Sequence, residues 1–256
     1  MPATGEWFKE FEFDLPAALL KDLVALLASM TQAPLDKTHV KEVPEEQGIY
    51  QLFLDDQLTY IGKTDSDAGL HRRLARHAQK IWHRTGLDPG RVSFKAVRIF
   101  VFTAVDLEQQ LIRHYEKTEG FKLAWNNSGF GANDPGRERD TSKLKDNHFD
   151  LVYPIAVDAP LIKFPLKGEY SIAEVLSRLR AAVPYTLRFQ NAGGSSKQPH
   201  PDLISTKITI PSGKLNTRMI LLLVQAALGS EWQVTRLPGY VILYKESKSY
   251  PHAMPL

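Results

Sequence analysis

The chain has 256 residues, 43% hydrophobic and 24% charged, with no cysteine and a net charge of +3. That balance belongs to a folded globular protein. It excludes disulfides and thiolate metal sites, and it fits a reducing, cytoplasmic compartment. No apolar run is long enough to predict a membrane span. The acidic stretch 1–14 lacks the apolar core of a secretory signal. Charge is unevenly placed: residues 1–60 carry four Lys/Arg against eleven Asp/Glu, while residues 71–98 carry eight Lys/Arg and one acid, Asp88. Residues 156–256 are basic again, twelve against six. Two basic zones on a nearly neutral chain suit a polyanion partner, or a solvated helix face.

In chain order, residues 17–30 read as a helix, with Asp14 and Pro16 near its start as cap and first-turn residues. A Pro-punctuated link leads to Gly48–Lys63, which reads as a β-hairpin. Gly69 to about Arg84 predicts a second helix, Val92–Thr103 a strand, and Asp106 to about Lys117 a third helix with Asp106 as N-cap. Residues 124–136 form a Gly/Asn/Pro loop. The pattern resets near residues 153–159. Beyond it come a helix at 170–182, a strand at 185–190, a flexible loop at 191–202, a strand at 207–210, a helix at 216–228 and a hairpin at 232–244. The predicted class is mixed α+β: a helical extension (1–44), a β-β-α-β-α core (45–155) and a small α/β domain (160–256).

Several polar residues interrupt apolar stripes. On the third helix Ala104, Leu107, Leu111, Ile112 and Tyr115 share a face, and Glu108 occupies a slot in it. A carboxylate facing a core needs a partner or a metal, unless the position is a partly exposed edge. On the second helix Arg73 and His77, four apart, lie on or beside the stripe Leu70, Leu74, Ile81. Tyr50 and Tyr60 share a sheet face if the hairpin loop has an odd length, such as Asp55-Asp56-Gln57. Each feature alone is consistent with ordinary packing.

Together, Gly48-Ile49-Tyr50, Tyr60-Ile61-Gly62, Arg73 with His77, Glu108 and Trp125-Asn126 follow the order and spacing of the GIY-YIG endonuclease superfamily, which residues 45–140 resemble. The stretch from Trp125 to Gly136 resembles the branch containing type II restriction enzymes. The nine residues between the two tyrosines make a short hairpin for that superfamily.

The resemblance implies a DNA endonuclease, a hydrolase of phosphodiester bonds working with one Mg²⁺ or Mn²⁺ per active site. Glu108 is the implied metal ligand, and Arg73 the cation that offsets charge on the phosphate. Tyr50, His77 and Lys63 are candidates for activating the water, Tyr60 for binding the phosphate or that water, and Asn126 for bracing the site. Arg72, Arg76, Lys80 and Arg84 are expected to face DNA phosphates, and Asn133, Asp134, Arg137 and Arg139 lie on a loop suited to reading base edges or to packing on the core.

A restriction or anti-phage defence role is the leading expectation. A repair or mobile-element nuclease that reads DNA structure, and a DNA-binding module with a dead nuclease core, remain open. Double-stranded DNA is the expected partner, with a homodimer, a cognate methyltransferase or another defence-system protein as further candidates. The C-terminal pattern faintly resembles the small N-terminal domains of secretins, and carries no implied chemistry.

Overall fold

The computed structural model describes residues 7, 12, 14–64, 69–100, 107–118, 120–132, 134, 136–162, 164–193 and 196–256. Its elements in chain order are α1 (Leu15–Ser29), β1 (Ala33–Pro34), α2 (Lys37–Val40), β2 (Gly48–Leu54), β3 (Gln57–Thr64), α3 (Leu70–Ile81), β4 (Val92–Arg98), α4 (Leu107–Arg113) and α5 (Phe149–Val152). There follow β5 (Gly168–Ser171), α6 (Ile172–Ala182), β6 (Thr186–Phe189), α7 (Pro201–Ser205), β7 (Lys207–Ile210), α8 (Thr217–Leu228), β8 (Gln233–Leu237) and β9 (Tyr240–Tyr244). The protein is mixed α+β. Among the described residues no helix is long and apolar enough to cross a membrane.

The chain divides into two units. The first contains residues 1–73 and 92–123, the second residues 74–91 and 124–256. The division passes through α3, so Leu70–Arg73 belong to the first unit and Leu74–Ile81 to the second.

In the first unit the sheet order is β1-β4-β2-β3, all antiparallel, with β2 central. Ile49, Phe53, Leu58 and Ile61 on one face form a core with Leu23 and Leu27 of α1 and with Leu107 and Leu111 of α4. α1 starts where its cap predicts, since the Asp14 carboxylate accepts the Ala17 amide hydrogen at 3.0 Å with Pro16 in the first turn. Two boundaries differ from expectation. β4 stops at Arg98, short of Ile99 and Phe100, and the last part of its expected span, 101–103, lies outside the described residues, as do Ala104 and the expected cap Asp106. α4 gives way after Arg113 to a π-helical turn, His114–Thr118.

The hairpin closes by another route than an odd loop. Asp55 and Asp56 form a two-residue turn with φ of 50° and 63°, the signs of a type I′ turn. A regular ladder from that turn would set Tyr60 opposite Gln51, on the face away from Tyr50. Instead Phe53 pairs with Leu58 and Leu52 with Tyr60, leaving Thr59 as an extra bulged residue. The Thr59 hydroxyl donates to the Leu52 carbonyl at 3.1 Å. The bulge returns Tyr60 to the face of Tyr50 and Gly62. α1 and α4 cover the opposite face, so the phenols do not line the surface those helices pack on.

The second unit has a three-stranded sheet, β6-β9-β8, with β6 parallel to β9, and a separate β5–β7 pair. Its core includes Ile172, Leu176 and Leu179 of α6, Ile220 and Val224 of α8, and Leu187, Val241 and Leu243. Ser171 and Glu174 close a capping box at the start of α6, and Asn216 caps α8. A strand (Gly168–Ser171) occupies the first residues of the expected 170–182 helix, and α7 forms at the end of the expected flexible loop.

Candidate functional site

Two glycines fix how closely the first unit can pack. Gly62 lies opposite Tyr50 in the β2–β3 ladder. A Cβ at Gly62 would meet the Tyr50 hydroxyl and stand 2.6 Å from Tyr50 Cζ and 2.7 Å from Tyr60 Cε1. At Gly48 it would strike the Val97 carbonyl oxygen and stand 2.6 Å from Leu70 Cδ1. The missing side chains let the two phenols flank Gly62 and let the start of α3 reach the sheet.

The rings of Tyr50 and Tyr60 are 6.0 Å apart between centroids and tilted by 37°. Arg73 Nε donates to the Tyr50 hydroxyl oxygen at 3.4 Å. Tyr50 has no solvent exposure, and burial pushes its hydroxyl pKa far up, with the neighbouring Tyr60 adding to the effect. Tyr60 is also raised by burial, against the pull of Arg73 and of a hydrogen bond from Tyr50. Burial outweighs the pull of Arg73 at both residues, so Tyr50 and Tyr60 are both held as neutral phenols.

Glu108 follows the buried Leu107 in the first turn of α4, and its side chain is partly buried. Its charge raises the pKa values of both Tyr60 and Arg73. Lys63, opposite Ile49 on β3, brings its ammonium to 3.8 Å from Glu108 Oε2, and the lysine side chain is 43% exposed. Within the first unit Arg73 thus contacts Tyr50, Tyr60 stands beside Tyr50, and the Glu108 carboxylate acts on Tyr60 and Arg73, while Lys63, on the Ile49 face of the sheet, pairs with Glu108. Among the described residues no three His, Asp or Glu side chains cluster. A metal here would take Glu108 as its protein ligand and oxygens of water or substrate for the rest, a donor set that suits Mg²⁺ or Mn²⁺.

Arg72 is exposed and pairs with Glu45 at 3.1 Å in the first unit. His77, in the second unit, is buried and stacks on Phe130 at 4.6 Å. Trp125, beside Asn126, packs against Phe130, Phe149 and Tyr153. Gly129, at φ +80°, lies so close to His148 that a Cβ would come within 2.8 Å of its Cδ2. The Trp-Asn-x-x-Gly-Phe stretch is thus a folded turn on an aromatic cluster.

Three cations expected to face outward are engaged within the second unit. Arg84 is buried and binds Asp150 at 2.9 Å and the Tyr153 carbonyl at 3.0 Å. Lys80 donates to the carbonyls of Gly129 at 3.0 Å and Phe130 at 2.7 Å, and burial pulls its pKa down to about 8. Arg76, still exposed, donates to the Ala132 carbonyl at 2.9 Å. The loop residues pack as well. Asp134 binds Arg188 at 3.1 Å, Arg137 lies 4.0 Å over the Tyr244 ring, and Arg139 pairs with Asp150. Asn133 lies outside the described residues.

The buried ion network Arg84–Asp150–Arg139, with Asp140–Arg188 beside it, was not foreseen from sequence. Asp150 stands 66 positions from Arg84, and no local periodicity joins them. No family model matches the chain, and no curated protein matches it either.

Proposed function

We propose that the first unit carries the catalytic centre of a metal-dependent DNA endonuclease, of restriction or anti-phage defence type. The observation that supports this most is the Arg73–Tyr50 contact, set beside Tyr60 across a glycine that cannot carry a side chain, with Glu108 acting electrostatically on both Tyr60 and Arg73. Packing alone gives no reason to set a guanidinium against two buried phenols with a carboxylate in electrostatic reach of Arg73 and Tyr60.

In this reading Arg73 binds a non-bridging phosphate oxygen and offsets the charge that grows there. Tyr50, neutral and fully buried, orients the guanidinium through its hydroxyl oxygen. Tyr60 hydrogen-bonds the phosphate or the incoming water, and the half-exposed Lys63 holds that water. Water adds to phosphorus as the bond to the 3′ oxygen breaks, leaving a 5′-phosphate and a 3′-hydroxyl. Glu108 would hold a divalent ion, which when bound supplies charge to the phosphate and the leaving oxygen.

Incubating plasmid DNA with the protein and Mg²⁺, beside a Glu108→Ala control, tests the reading. Discrete fragments that vanish in the control support it. Intact plasmid in both sinks it.

A further inference from the structure

The first unit carries a second arginine on the phenol face of its sheet. Arg98 ends β4 and lies opposite Gly48, two residues along β2 from Tyr50 on the same face. Its guanidinium stacks 4.3 Å over the exposed Phe100 ring and pairs with Glu46. One residue before, Glu45 pairs with Arg72 on α3. The segment Pro44–Gln47 ties these parts together. Its Pro44 and Glu46 carbonyls accept the amides of His71 and Leu70, and its Gln47 carbonyl accepts the Ile99 amide. Gly69, at φ +61°, lets the chain pass this segment, since a Cβ there would come within 2.8 Å of the Glu45 carbonyl carbon.

Adjacent glutamates on one short segment therefore each hold an arginine, one on the first turn of α3 and one at the end of β4. All four side chains are at least 40% exposed, so water screens both pairs and neither is needed to hold the segment, which its backbone bonds already anchor. A phosphate offers a guanidinium the same forked oxygen pair as a carboxylate, with more charge.

We infer that Arg72 and Arg98 form a phosphate-contacting site for the DNA backbone, and that Glu45 and Glu46 occupy it as carboxylate stand-ins until DNA displaces them. This rests on the endonuclease reading for the identity of the polyanion. The glutamates lower affinity for every DNA equally and so demand further contacts before the chain binds. In the wild type each carboxylate left behind takes up a cation, which reduces the net counterion release per phosphate contact.

Equilibrium binding of the full chain to a labelled duplex DNA, without divalent metal and between about 50 and 200 mM KCl, tests this. The Glu45→Gln/Glu46→Gln protein should bind several-fold tighter than wild type, with a steeper salt dependence. Arg72→Ala/Arg98→Ala should bind more weakly, with a log–log slope shallower by about 1–2. An Asp22→Asn/Asp56→Asn protein makes the same charge change away from the arginines and should bind like wild type. If that control tightens binding as much as the glutamine pair, or if the arginine variants keep the full slope, the inference falls while the nuclease reading stands. Failure of the wild type to bind any DNA overturns both.

Discussion

The Tyr50 ring rests against the backbone of Gly62, so that a Cβ at Gly62 would stand 2.6 Å from Tyr50 Cζ. Gly62 does not have a left-handed backbone, so alanine is conformationally allowed there and only the collision opposes it. Gly62→Ala is expected to destabilise the chain by about 1–3 kcal/mol, the usual cost of overpacking. It should also cut DNA cleavage well beyond the loss of folded protein, because the phenols must part. Thermal unfolding alongside cleavage per folded molecule separates the two effects. Unchanged values of both would show that the rings give way freely.

Arg73 donates to the Tyr50 hydroxyl through Nε, and its planar guanidinium presents several donors in a fixed fork that matches a phosphate. Lysine keeps the charge but has no fork and no Nε. Arg73→Lys should therefore lose cleavage nearly as completely as Arg73→Ala, on the order of 10²–10³-fold. Tyr50→Phe, which removes only the oxygen that orients the guanidinium, should lose less. Single-turnover rates at saturating DNA measure this directly. A lysine variant within a few-fold of wild type would mean that charge alone suffices.

α3 and α4 were legible in the sequence because their signals are local. Leu70, Leu74 and Ile81 do form the buried stripe of α3, and Leu107 and Leu111 that of α4. The shared face of Tyr50 and Tyr60 was legible, but its cause was not: a bulge at Thr59 and a two-residue turn replace the three-residue loop. Parity fixes that one residue must be absorbed somewhere in the hairpin, and not where. The outward direction assigned to Lys80 and Arg84 failed for a longer-range reason. Helix periodicity sees neighbours three or four positions away, whereas their partners are Gly129, Phe130 and Asp150. Basic residues on a helix look solvent-facing until the acid that buries them is known.

The turn that closes the hairpin places Asp56 at φ +63°, a region costly to most L residues and free to glycine. Asp56 is exposed, so its side chain contributes no packing. Asp56→Gly is expected to stabilise the chain by up to about 1 kcal/mol without altering the register. Denaturant unfolding should show a higher midpoint at unchanged slope. A lower midpoint would mean that the aspartate stabilises the turn by more than its backbone strain costs.

Asp150 holds Arg84 and Arg139 in the second unit, and Gly239 approaches it so closely that a Cβ would stand 2.6 Å from the carboxylate carbon. Burial alone would push the Asp150 carboxyl up, but the charges of Arg84, Lys80 and Arg139 outweigh it and hold the pKa below the usual carboxylate value. A depressed folded-state pKa means that the unfolded chain takes up the proton first as pH falls. The stabilisation is then complete above the unfolded value of about 3.9 and is lost as pH drops through the lower folded value. Unfolding free energy should fall as pH is lowered below about 5. Asp150→Asn should remove that part of the decline. It should also cost about 3–5 kcal/mol at neutral pH, because two guanidinium groups lose their buried counter-charge. Denaturant unfolding of both proteins across the acid range checks the sign and the size. Equal stability of the two at neutral pH would mean that neither arginine depends on Asp150.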